Sequence, residues 1–243
     1  MRGTLYGVGV GPGDPKLMTC LAVETIERCP VIAVPSGGGD RAVSYRIAKQ
    51  AVENLDRKEC LRLSTPMTKN RRVLNESYEA AADEIAKRLD EGKDVAYLTL
   101  GDPTIYSTYI YIHRIAKRRG YDACIVSGVP SFCAAAARIG DSLADRSQQI
   151  HIIPSSYDVE EAMDYKGTRI FMKAASGLSR IKTMLLERNQ AAVMVENCGM
   201  ADERICPDVR RMPDEAGYYT ILVAREEPCD RAGRPYEERP PGK

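Results

Sequence analysis

The hydrophobic pattern along the chain switches repeatedly between short apolar runs and the three-to-four spacing of amphipathic helices. Leu5-Tyr6-Gly7-Val8-Gly9-Val10 reads as a short buried strand that breaks at Gly11-Pro12-Gly13. Asp14 followed by Pro15 marks a helix start, because aspartate accepts a hydrogen bond from a free amide and proline stands where no amide partner is needed. The helix expected there places Leu17, Met18, Leu21, Ala22, Thr25 and Ile26 on one face. Val31–Val34 predicts the next strand, and the glycine-rich loop Ser36–Asp40 is one that packing alone does not require. A short helix over about 43–53 and a strand around Leu61–Leu63 follow.

Residues 72–91 carry Leu74, Tyr78, Ala81, Ala82, Ile85, Ala86 and Leu89 at helical spacing, with Gly92 closing the helix. Val95–Leu100 is a near-continuous apolar run, the mark of a strand covered on both faces, and it ends at Gly101-Asp102-Pro103. A helix at about 107–119, a strand at 123–126 and the alanine-rich helix Phe132–Ile139 come next. Beyond Gly140 the pattern predicts a strand at 149–153, a helix near 157–164, a strand at 168–172, a helix at 177–188 and strands at 191–196 and 218–224. Such alternation predicts an α/β fold with largely parallel sheet, the later strands being candidates for a mixed one. The expected division is an N-terminal domain over 1–127, a second over 128–225, and a charged, proline-rich tail over 226–243 that frays.

Composition changes this picture only by exclusion. The 243 residues are 44% hydrophobic and 28% charged, ordinary for a globular protein, and with 2 Phe and no Trp the core must be aliphatic. A net charge of +1 does not supply the positive field that nonspecific nucleic-acid binding needs. No stretch approaches the roughly 18 consecutive apolar residues of a membrane span, and Met1 leads into a glycine-rich turn instead of a signal-peptide core, so a cytoplasmic chain without membrane contact is expected. The 8 cysteines form no C-x-x-C pair and only His113 and His151 supply imidazole, which favours buried free thiols over disulfides and predicts no metal site.

Gly7-Val8-Gly9-Val10-Gly11-Pro12-Gly13 sits between a strand and a helix, as a dinucleotide-binding loop would. The spacing fails in both frames, since the third glycine position falls on Pro12 or Asp14. A P-loop is excluded by the missing Gly-Lys-Ser/Thr ending. Gly101-Asp102-Pro103 is a second loop at the carboxyl end of a strand, where open α/β sheets take ligands.

Taken with Gly128-Val129-Pro130-Ser131-Phe132 and Glu196-Asn197-Cys198-Gly199 leading to Asp202-Glu203-Arg204, these loops make the chain resemble the tetrapyrrole methylases. Four motifs in order cover about residues 3–225. Tyr97–Tyr109 and Val129–Ala137 look most like the members that methylate C-20 of precorrin-2 or cobalt-factor II in cobalamin biosynthesis. Cys198 departs from the pattern, where relatives often have a glycine before a threonine, and Ser127 replaces a more usual proline.

The resemblance implies two α/β domains with the cofactor in the cleft between them, a homodimer, and S-adenosylmethionine as methyl donor leaving S-adenosylhomocysteine. Carried over motif by motif, Pro12 would pack against the cofactor, Leu100, Gly101 and Asp102 would meet its amino-acid end, and Ile105, Ser107 and Thr108 would line the same wall. Ser131, Phe132, Met172, Cys198, Tyr219, Thr220 and Ile221 would enclose adenine and ribose, although Met172 and Phe132 read equally as core. Asp102 is expected to orient the cofactor or act as a base, and Tyr106 to bond the substrate or cover the helix. A macrocycle with eight carboxylates calls for cations, and Arg41, Arg46, Lys69, Arg71 and Arg72 are the expected ones. Lys117-Arg118-Arg119 suits a helix C-terminus. Alternatives left open are another corrin-ring or uroporphyrinogen methylase, a diphthine synthase, a noncatalytic tetrapyrrole carrier and a nicotinamide oxidoreductase.

Overall fold

The computed structural model describes residues 1–36, 43–66, 68–155 and 159–226. The glycines of the Ser36–Asp40 loop, Arg41 and the tail beyond 226 lie outside them. The chain forms two compact units, Met1–Pro130 and a second that begins at Ser131.

Unit 1 contains β1 (Thr4–Gly9), α1 (Cys20–Arg28), β2 (Val31–Ser36), α2 (Val43–Ala51), β3 (Glu59–Ser64), α3 (Arg71–Asp90), β4 (Val95–Thr99), α4 (Tyr109–Arg118) and β5 (Asp122–Val126). Its sheet runs β3-β2-β4-β1-β5 with every pairing parallel. Strand alternation explains why the apolar runs bury completely: Leu5, Val95 and Tyr97 pack under α3 and α4, whereas Ala96 and Leu98 pack with residues of α1 and α2. β1 and β4 are neighbours whose connections depart in opposite directions, toward β2 and β5. That is the place at which open parallel sheets take ligands.

The single helix expected from Pro15 is two pieces. Asp14 does cap, accepting from the Lys16 N–H at 2.9 Å, but it starts one 3₁₀ turn, Pro15–Leu17. Met18 and Thr19 are then extended, and the Thr19 hydroxyl accepts from the Ala22 N–H at 3.1 Å to begin α1. Two good caps five residues apart each start a helix, and Leu17 and Leu21 consequently stand exposed, off the buried face of Ala22, Thr25 and Ile26.

Unit 2 contains α5 (Ser131–Ile139), β6 (Ile150–Pro154), β7 (Thr168–Met172), α6 (Leu178–Glu187), β8 (Ala192–Glu196), β9 (Arg204–Cys206) and β10 (Thr220–Ala224). Its sheet, β6-β7-β10-β8-β9, is mixed: β6 and β7 are parallel and the other pairings antiparallel. The helix expected at 157–164 is, within the described residues, one 3₁₀ turn over Glu161–Asp164. One turn suffices to bury Ala162 and Met163 beside Val159 before the chain returns as β7. β9 has no hydrophobic period to announce it, since Arg204 and Ile205 are exposed along a three-residue edge.

Candidate active site

Three loops of unit 1 meet at the carboxyl ends of β1, β4 and β5. The Gly101 N–H donates to the Gly11 carbonyl at 2.8 Å, and the Val10 N–H to the Thr99 carbonyl at 2.9 Å. Gly11 and Gly101 both have φ of +72°, the left-handed conformation that favours glycine. A Cβ on Gly128 would fall 2.2 Å from the Gly101 carbonyl oxygen, so the β5 loop approaches the β4 loop backbone to backbone. The glycine pattern therefore serves close approach, not dinucleotide binding.

Asp102 holds this junction. It is buried, and its Oδ1 accepts from the Thr104 N–H at 2.7 Å and the Thr104 hydroxyl at 2.5 Å. Its Oδ2 accepts from the Gly128 N–H at 2.9 Å. Among the described residues no Lys or Arg pairs with it; its hydrogen bonds come from Thr104 and Gly128.

The neighbouring predicted residues divide by role. Pro12 is buried in the first loop, and Leu100, Ile105 and Thr108 are half-buried around the second. Ser107 is buried too, but its hydroxyl accepts from the Tyr109 N–H at 3.1 Å and so starts α4. Tyr106 is exposed at φ +47°, a left-handed backbone that costs a bulky residue about 1–2 kcal/mol and is stored most often at functional sites. Partial burial pushes its phenol above the usual range, so at neutral pH it can donate a hydrogen bond but cannot act as a base.

Of the expected cations, Arg41 lies outside the described residues and the others stand on two helices. Arg46 is exposed on α2, while Lys69, Arg71 and Arg72 are exposed at the start of α3, and these two helices cover opposite faces of the sheet. Arg72 is already paired with Glu76 one turn along, at 2.8 Å. Asn70 caps this helix, accepting from the Arg72 N–H at 3.0 Å. Lys117 and Arg118 lie in the last turn of α4 with Arg119 at its C-cap, and the two arginines also reach Glu79 and Asp83 of α3.

In unit 2, antiparallel register places Ile221 opposite Met172 and Thr220 opposite Glu196, so these residues and Cys198 share one end of the sheet. The Asn197 N–H donates to the Tyr219 carbonyl at 3.1 Å. Ser131 and Phe132 begin α5, which packs on β10, with Phe132 buried. Burial beside Glu203 pushes the Cys198 thiol up to about 11, so it stays protonated and is no nucleophile.

Two carboxylates at this end lay in a recognised motif without an assigned role. Buried Glu196 accepts from the Gly217 N–H and holds Arg204 at 2.6 Å. Glu203 accepts from the Gly199 N–H at 2.6 Å and holds Arg138 of α5 at 3.1 Å. An acid near a turn glycine was the available signal, but nothing in the sequence names the arginine. Among the described residues no group of three or more His, Cys, Asp or Glu is placed to hold a metal, and no helix is long and apolar enough to cross a membrane.

An open parallel sheet with three glycine loops gathered at its switch point, followed by a mixed-sheet unit, defines a two-unit α/β protein with loops where such sheets take ligands. The sequence model of the Tetrapyrrole (Corrin/Porphyrin) Methylases matches residues 4–211, and the chain belongs to that family. It is 33% identical over 202 residues to the probable cobalt-precorrin-2 C(20)-methyltransferase of Methanocaldococcus jannaschii, covering 83% of this chain and 85% of that protein. Its fold matches that of a cobalt precorrin-4 methyltransferase of cobalamin biosynthesis with a TM-score of 0.71 at 21% identity, over 91% of this chain and 94% of the other. It also matches uroporphyrin-III C-methyl transferase from Thermus thermophilus, solved with S-adenosylhomocysteine, with a TM-score of 0.66 at 19% identity over 92% and 98% of the two chains.

Proposed function

We propose that this chain transfers a methyl group from S-adenosylmethionine to C-20 of cobalt-factor II or precorrin-2 in cobalamin biosynthesis, with the cobalt-containing substrate preferred. The observation that carries the reading is Asp102, a buried carboxylate without a cation partner among the described residues, at the convergence of three ligand-facing loops. Its negative charge suits a donor that carries both a sulfonium and an ammonium. Pro12, in the loop after β1, and Leu100, Gly101, Ile105, Ser107 and Thr108, after β4, are assigned with Asp102 to the cofactor's methionine side, Ser107 also starting α4. In unit 2 the end of the sheet marked by Met172, Cys198, Tyr219, Thr220 and Ile221, together with Ser131 and Phe132, is assigned to adenosine.

The cofactor supplies an activated methyl group and a neutral leaving thioether. The protein's task is alignment of the nucleophilic ring carbon with the methyl and the sulfur, so positioning dominates over acid–base chemistry. Tyr106, protonated and exposed in the segment that follows β4, is assigned to hold the macrocycle by a donated hydrogen bond. Arg71 and Lys69 are assigned to its carboxylates. The working form is taken to be a homodimer in the cytoplasm, for which light scattering of the purified protein is the direct check.

The test is anaerobic incubation with S-adenosylmethionine and, in parallel, each of the two macrocycles, followed by mass spectrometry and assignment of the methylated carbon. Addition of one methyl at C-20, faster with the cobalt-containing macrocycle, is the expected result. Methylation at another ring position, or binding of macrocycle without methyl transfer, would replace the reading.

A further inference from the structure

The chain passes from unit 1 to unit 2 at Pro130 and Ser131. The residues just before that passage are held by the loops described above. The Gly128 N–H donates to Asp102, and the Ser127 carbonyl accepts from the Thr19 hydroxyl at 3.3 Å. Thr19 is itself fixed as the cap of α1. Gly128 is pressed so closely on the Gly101 carbonyl that no side chain fits between them. Asp102 is fixed in turn by Thr104, which clamps Oδ1 with two donors and leaves Oδ2 aimed at Gly128.

We infer that Asp102 is a positioning residue that acts through the Gly128 N–H: it fixes residues 127–129, so that occupancy of the β4 loop is felt in the segment leading into unit 2. The inference rests on the assignment of this loop to the cofactor. It gives the carboxylate a mechanical part beside its charge, since both oxygens are engaged by donors of its own and the neighbouring loop.

The distinguishing variant is Asp102→Asn. It keeps the shape but turns one oxygen into a donor, which must then face either the Gly128 N–H or the two donors of Thr104. Hydrogen–deuterium exchange of residues 127–129 is measured first in ligand-free protein and then with S-adenosylhomocysteine. Loss of a hydrogen bond to a charged acceptor should speed that exchange about tenfold or more in Asp102→Asn, whereas S-adenosylhomocysteine should slow it in the unmodified protein. Kinetics should show the KM for S-adenosylmethionine raised about tenfold with kcat at saturation changed less than about threefold.

Thr104→Val, which removes the hydroxyl donor alone, should move exchange and KM the same way by a smaller factor, about two- to threefold. This second variant decides the matter if Asp102→Asn does not fold. Unchanged exchange at 127–129 in the folded variants overturns the inference, as does a loss of kcat with KM unchanged, which would make Asp102 a group of the chemical step. The ligand-free exchange needs no substrate, so failure of S-adenosylhomocysteine to bind would count against the proposed function while leaving the clamp to be judged by the variants.

Discussion

The end of the unit 1 sheet where the loops after β1, β4 and β5 meet, and the end of the unit 2 sheet that carries Met172, Glu196 and Thr220, are held by the same device with opposite electrical outcomes. In each, a carboxylate accepts the N–H of a turn glycine: Asp102 takes Gly128, Glu196 takes Gly217, and Glu203 takes Gly199. In unit 2 both carboxylates also hold an arginine, Arg204 and Arg138. Among the described residues Asp102 has no such partner, and its donors are Thr104 and Gly128. A balanced carboxylate is spent on structure. A buried one without a cation keeps its field, because hydrogen bonds lower the cost of burying a charge without cancelling it, and on the proposed function that field meets the cationic cofactor. On the proposed function, the comparison thus separates a unit 1 end that attracts from a unit 2 end that is shaped.

The largest expected effect tests the shape of the attracting end. In Gly128→Ala the new methyl would lie 2.2 Å from the Gly101 carbonyl oxygen, and backbone must move to relieve it. Cofactor affinity should fall about a hundredfold, roughly 3 kcal/mol, as read by calorimetry with S-adenosylhomocysteine. Gly217→Ala is the matched control in unit 2. Its methyl would lie 2.9 Å from Glu196 Oε1, the far end of a side chain that can turn aside, and binding should change less than about threefold. Equal losses in the two variants would dissolve the distinction between the ends.

Next in size is Glu196→Ala. It strands the Gly217 N–H and removes the partner of Arg204, whose half-exposed side chain moderates the loss. A stability loss of about 2 kcal/mol is expected in urea unfolding, with cofactor affinity of the folded protein nearly unchanged. Cys198 gives a pH-dependent companion to this test. Its thiol is raised in the folded protein from 9.0 to about 11, so the stability it contributes is complete below the unfolded value and is lost as pH rises from about 9 through about 11. Cys198→Ser should remove about 1–2 kcal/mol of that alkaline slope, read from urea curves at several pH values. A slope unchanged by the substitution would show that the thiol is not shielded.

Much of unit 1 was legible because its signals are local. β1 and β4 are apolar runs that bury on both faces, and their glycine turns stand in sequence where the carboxyl ends of the strands must fall. The start of α1 misled because Asp14 and Thr19 are both competent caps and only packing decides which one begins the long helix. In unit 2, β7, β8 and β10 are each five buried residues, and a fully buried run carries no mark of parallel or antiparallel pairing, so the mixed sheet was open until the register was seen. The clamp was illegible for another reason. Gly128 lies 26 residues beyond Asp102, and a hydrogen bond to a backbone amide needs no particular side chain there.

The basic residues illustrate the same limit and supply the smallest effect. Proximity in sequence put Lys69, Arg71 and Arg72 in one group, yet helical geometry turns Arg72 toward Glu76. Both partners of that pair are well exposed, so Arg72→Gln should change stability by only about 0.3–0.5 kcal/mol and the KM for the macrocycle less than about twofold. Arg71 makes no such pair among the described residues and extends from the first position of the same helix. Arg71→Gln should therefore raise the macrocycle KM severalfold, about 1 kcal/mol of a charge-assisted contact, with kcat and the KM for S-adenosylmethionine held. Equal responses of the two arginines would mean that the macrocycle's carboxylates feel the diffuse charge of the α3 start. A response confined to Arg71 would mean that a single guanidinium, left uncommitted as Asp102 is left uncompensated, does the gripping.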